Sequence, residues 1–142
     1  MKRRYLFEII EYIQEAEDKA QALLDSMREN KHFKMFVYMI YNPEYNWESS
    51  KEILLAKSKS DRELGGYENA WTSIVLLMKK RLIRATRGSV KFVSGYIKLA
   101  HSCNCKDVEY MNHAIKYRCL KGIKKKEIKP ALTEEFGEEY AS

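Results

Sequence analysis

"KFVSGYIKLAHSCNCKDVEYMNHAIKYRCLKG", Lys91 to Gly122, decides how this chain is read. Val93, Tyr96 and Ile97, with Val90 just before them, repeat at the three- and four-residue spacing of one helix face, over about 89–101. Val108, Met111, Ile115 and Cys119 repeat the spacing over about 107–120, and Gly122 offers a left-handed cap. Only "SCNC" joins the two patterns. Two helices of similar length with so short a connection lie antiparallel.

The same period runs outward in both directions. Leu6, Ile9, Ile10 and Ile13 mark one helix, Ala20, Leu23, Leu24 and Met27 a second, and Phe33, Phe36, Val37 and Ile40 a third that stops before the Asn-Pro turn of "NPEYN". Trp47–Leu64 leaves helix and strand open, and Gly65-Gly66 breaks the chain. Ala70, Ile74, Leu77 and Met78 mark a helix ending near Leu82, "RATRGS" is a loop, and a short helix through "KKKEI" closes the pattern before Pro130. No stretch alternates convincingly with the period of a strand. The predicted fold is all-α: one compact domain of about six or seven helices with antiparallel helical hairpins. It covers residues 1–132, and 133–142 reads as an acidic linker or tail.

Charge is divided unevenly along the chain. Residues 1–78 hold 11 Lys/Arg and 13 Asp/Glu, residues 79–129 hold 15 and 3, and residues 130–142 hold none and 4. A surface made only for solubility mixes the signs. A one-sign block points to a polyanionic partner. The antiparallel hairpin brings "TRGSVK" (Thr86–Lys91) and "KGIKKK" (Lys121–Lys126) to one end of the domain. Each holds a helix start with unpaired N–H groups, and Gly88, Ser89 and Gly122 let a phosphate come close. Arg87, Lys91, Lys121, Lys124, Lys125 and Lys126 add full charges, and "KKRLIR" feeds Lys80 and Arg84 into the same edge. These residues form the candidate DNA-binding site. Lysine dominates it, with no zinc-finger spacing, heptad-linked basic region or aromatic RNA-binding strand, which favours backbone binding over base reading.

Other readings carry less weight. Three cysteines without disulfide spacing favour a reducing, cytoplasmic home. The start carries charge too early for a signal peptide, and no apolar run approaches the roughly 20 residues of a bilayer span. His101, Cys103, Cys105 and His113 lack the C-x₂-C pairing of zinc modules, and Cys119 reads as core. Glu8, Glu11, Glu15, Glu17 and Asp18 read as a solvated face, and Tyr38, Tyr41, Tyr45, Trp47 and Trp71 mostly as packing. No nucleotide loop and no nucleophile with a base is present, so no metal or cofactor is expected in this chain. An alternative function is a stand-alone helical adaptor whose basic edge binds an acidic protein partner. A peripheral membrane binder is disfavoured, because the basic segments lack a large apolar face.

"TRGSVKFVSGYIKLAHSCNCKDVEYMNHAIKYRCLKGIKKKEIKPAL" (Thr86–Leu132) resembles the N-terminal DNA-binding domain of ATP-dependent DNA ligases, in its T-even phage form. Ser89 and Lys91 match the helix start of that family, Lys121-Gly122 its basic-glycine turn, and Ala131-Leu132 the end of its following helix. "GYI" (Gly95–Ile97), "KDVE" (Lys106–Glu109) and "NKHFKMFVYMIYNPEYN" (Asn30–Asn46) are also similar, so the resemblance covers most of the chain. It implies an all-helical, monomeric module that grips duplex or nicked DNA across the minor groove. Such a module serves nick sealing in replication, repair or recombination, in the host cytoplasm if the source is viral. The catalytic domain of the family uses ATP and magnesium and is adenylated on the lysine of a K-x-D-G motif. Neither "KGIK" (Lys121–Lys124) nor "KSKSDRE" (Lys57–Glu63) supplies that motif. The resemblance therefore implies either the binding part of a ligase or a relative without catalysis.

Overall fold

Short polar side chains start three of the helices. Asp18 accepts from the Gln21 N–H at 3.0 Å, Asn30 from His32 and Phe33 at 3.0 and 3.1 Å, and Asn104 from Lys106 at 2.9 Å. Each relieves a helix of an orphan donor. The computed structural model describes residues 5–44, 68–81, 95–96 and 98–141, with the backbone alone at 80 and 81. Among them all regular structure is helical: α1 (Leu6–Glu15), α2 (Lys19–Glu29), α3 (Lys31–Tyr41), α4 (Ala70–Arg81), α5 (Cys105–Tyr117), α6 (Lys125–Phe136) and a 3₁₀ turn, Glu138–Tyr140. Residues 95–96 and 98–100 are helical too. The all-α expectation holds. Asn30 alone separates α2 from α3.

The apolar stripes meet in one core. Leu6, Ile9, Ile10 and Ile13 are buried, as are Leu23, Leu24 and Met27, and Phe33, Phe36, Val37 and Ile40. Trp71 and Tyr96 are its largest fully buried side chains. Gly95 lets its helical segment press against α4: a Cβ there would meet Leu77 Cδ2 at 3.1 Å. That segment runs antiparallel to α5, since the Tyr96 hydroxyl donates to Asn112 and the chain reverses through 101–104.

Ion pairs fix how the helices run. Lys19 meets Glu127 at 3.8 Å and Arg28 meets Glu134 at 3.5 Å, so α6 runs parallel to α2. Lys34 meets Glu135 at 2.8 Å while Lys125 lies over the Tyr41 ring, so α6 runs antiparallel to α3. Phe7 N–H donates to Asp107 at 2.8 Å, and the Tyr110 hydroxyl to Glu11 at 3.4 Å, so α1 runs parallel to α5.

Two sequence expectations change near the C-terminus. The helix expected to stop before Pro130 continues through it to Phe136. Proline in a helix interior costs about 3 kcal/mol. Burial of Ile128, Ala131 and Leu132, on both sides of Pro130, opposes that cost. The boundary read at residue 132 thus falls inside α6. Beyond Gly137, Tyr140 and Ala141 are buried, and the rings of Tyr38, Phe136 and Tyr140 pack with centroids 5.3–5.6 Å apart. Residues 133–141 pack as part of the domain.

Candidate nucleic-acid interface

Two left-handed residues shape the basic turn. The helix expected to reach Gly122 leaves its axis at Arg118, with φ 56° and ψ 40°. A non-glycine residue resists this conformation. Here it is held by tertiary bonds: Arg118 Nε donates to the Ile40 carbonyl at 2.9 Å, and Nη2 to the Asn42 carbonyl at 2.6 Å. Its cation thus closes the C-terminal end of α3, where a positive charge is favoured. Arg118→Ala should cost about 2 kcal/mol, the worth of charge-assisted bonds to partly buried carbonyls. Thermal unfolding followed by circular dichroism measures it, with Arg118→Lys recovering part of the loss.

Gly122, at φ 73°, makes the second left-handed step. A Cβ there would stand 2.8 Å from Gln14 Nε2, the group that donates to the Lys121 carbonyl at 2.6 Å. The Leu120 N–H donates to the Tyr41 hydroxyl at 3.1 Å, and burial raises that hydroxyl well above the ordinary tyrosine value. The turn is therefore pinned to α1, α3 and α5 before any ligand arrives.

The lysines on it are not equivalent. Lys121 meets Glu109 at 2.5 Å and lies over the Tyr110 ring at 5.2 Å, so its charge is partly balanced. Lys125 is half-buried, 6.0 Å from the Tyr41 ring centroid. Burial, then Lys129 and Arg118, hold its ammonium below the ordinary lysine value. Lys124, Lys126 and Lys129 are exposed, and among the described residues none has a carboxylate against its ammonium. The start of α6 already holds one anion of its own, because Glu127 accepts the Lys124 N–H at 3.0 Å. Between Lys116 and Lys129 stand seven basic residues and a single acid.

Of the candidate residues, Lys121, Gly122, Lys124, Lys125 and Lys126 come together on this turn. Arg84, Arg87, Gly88, Ser89 and Lys91 lie outside the described residues, and Lys80 is described by its backbone alone, at the end of α4. Lys79, next to Lys80, stands instead with Lys31 and Lys34, at the first half of α3. Sequence reasoning missed Lys116, Arg118, Lys129 and Tyr117. Lys129 follows Lys125 by one helical turn, which was a readable signal. Tyr117 is 57% exposed, its ring tilted against His113 with centroids 4.6 Å apart and Lys116 over it at 5.1 Å.

The remaining nucleophilic groups are quiet. Cys119 Sγ lies 3.8 Å from His113 Nε2. Burial raises the thiol and lowers the imidazole, with Lys121 lowering it further, so both are held neutral and the pair is no thiolate–imidazolium. Cys103 is buried, donates to the Leu99 carbonyl at 3.5 Å, and is pushed up to about 12 by burial and then Asp107. Among the described residues no three His, Cys, Asp or Glu gather as a metal would need, and no helix is long and apolar enough to cross a membrane. Set against protein-family models, curated protein sequences and solved structures, the chain matches none of them.

Proposed function

We propose that this chain binds duplex DNA through its phosphate backbone, without sequence preference and without catalysis of its own, as the N-terminal domain of an ATP-dependent DNA ligase does. The observation that carries the reading is the rigid turn from Arg118 to Lys126. It presents the exposed ammoniums of Lys124 and Lys126, with Lys129 one turn on, at the start of α6. Neutralising phosphates with lysine releases counterions, an interaction that needs charge density and not base contacts. Pre-organisation by Arg118, Gln14 and Tyr41 lowers the ordering cost of binding.

Fluorescence anisotropy with labelled random duplex, nicked duplex and single strand tests it. Binding should be independent of sequence and fall steeply with salt, with a log–log slope of about −4 to −5 for roughly four to six phosphate contacts. A salt-independent affinity, or a strong preference for one sequence, sinks the proposal. Saturation by one protein partner at fixed stoichiometry, with no DNA binding, would favour the adaptor instead. The absent K-x-D-G gives a separate expectation: incubation with labelled ATP and magnesium leaves the chain without a covalent AMP adduct. A labelled band at its mass would overturn the non-catalytic reading.

A further inference from the structure

A cavity of about 430 Å³ opens along α3, from Lys31 to Met39, beside the end of α4 and the end of α6. The candidate DNA turn meets α3 at Tyr41, about 15 Å along the axis from Lys31. The floor of the cavity is apolar: Met35, Met39, Tyr38 and Phe136. Lys31, Lys34 and Lys79 also line it. Glu135 balances Lys34 at 2.8 Å. Lys31 and Lys79 are exposed and have no carboxylate partner among the described residues.

These two features select one kind of ligand. A cation is repelled by the lysines. A small hydrated anion satisfies the lysines but leaves the floor wet. A neutral apolar molecule covers the floor but gains nothing from the charges. An apolar body ended by an anion satisfies both, and the flexible Met35 adapts to an alkyl chain better than to a fixed shape. The volume lies in the range of small-molecule sites, and is closed on one side by the packed Tyr38–Phe136 pair, whose ring centroids stand 5.6 Å apart. We infer that this cavity is a binding site for a free medium-chain carboxylate, its alkyl chain on Met35, Tyr38 and Phe136 and its carboxylate between Lys31 and Lys79.

Isothermal titration with sodium decanoate, kept below its micellar range, tests the inference. Decanoate should bind at one site. Decanol, which lacks the charge, should bind at least about tenfold more weakly, a difference of about 1.4 kcal/mol. Acetate, which lacks the chain, should give no measurable heat. The double variant Lys31→Ala/Lys79→Ala should abolish the preference for decanoate over decanol. Met35→Trp should fill the cavity and block both ligands without altering its charge, and Lys124→Ala should leave binding intact. Circular dichroism checks that each variant is folded. The inference fails if decanol matches decanoate, if the double lysine variant binds decanoate unchanged, or if only vesicles of anionic phospholipid bind. It does not depend on DNA binding, which these variants leave to the other end of α3.

Discussion

Replacing Lys124, Lys126 and Lys129 together by alanine should weaken binding to every duplex sequence alike, by on the order of a hundredfold at low salt. The log–log salt slope should flatten by about 2.7, at about 0.9 for each lost phosphate contact. These are the exposed ammoniums of the turn that have no carboxylate partner among the described residues, so their charge is available to a ligand. Lys121→Ala should do less, because Glu109 already holds that ammonium at 2.5 Å. The reverse change follows from the same geometry. Glu109→Gln releases Lys121 and removes a like charge from the phosphate path, so affinity should rise and the slope steepen. Lys31→Ala, at the far end of α3, should change neither. The fold should survive these exposed substitutions, which usually alter stability within about 0.5 kcal/mol. Titrations of each variant at several salt concentrations measure all four effects. If Lys31→Ala weakens binding as much as the triple variant does, the interface is misplaced.

The lysine concentration was legible in the sequence, but the division of labour within it was not. A run of basic residues states how much charge is present. Which charges are already balanced depends on Glu109, twelve positions before Lys121, and on Tyr41, carried by α3. The helix faces were legible for the opposite reason. Leu6, Ile9, Ile10 and Ile13 repeat on a face that buries all four, and a one-sided stripe leaves one solution. The end of α5 was misplaced because Gly122 is the better left-handed residue by local preference, while Arg118 takes the position through bonds to carbonyls of α3. Pro130 and the acidic run after it read as a stop and a tail. Tertiary burial of Leu132, Tyr140 and Ala141 overrides both signals. Asp107 gave no signal at all, since an acid in the first turn of a helix ordinarily faces water.

Asp107 should make this protein more stable in mild acid than at neutral pH, through one carboxyl. It is 1% exposed, in the first turn of α5, and reaches across to the start of α1. Its Oδ1 accepts the Phe7 N–H at 2.8 Å, and the Leu6 N–H also favours the charged form. Its Oδ2 has no hydrogen-bond partner among the described residues. Burial outweighs the two amides, Glu8 adds repulsion, and the carboxyl is pushed up from 3.8 to about 7. The folded state therefore keeps a proton that the unfolded chain has released. This contribution is fully present below pH 3.8 and is lost as pH rises to about 7. The interval is worth at most about 4 kcal/mol. Other groups titrate with the opposite sign: His113, lowered by burial, adds stability as pH rises. The difference between two proteins isolates Asp107 from them. Asp107→Asn keeps an acceptor for Phe7 and cannot ionise. Its thermal midpoint should cross that of the natural chain, lying level with it or below in acid and above it at neutral pH and beyond. Midpoints measured across this range by circular dichroism decide the matter, and parallel curves would show that the carboxyl titrates alike in the folded and unfolded states.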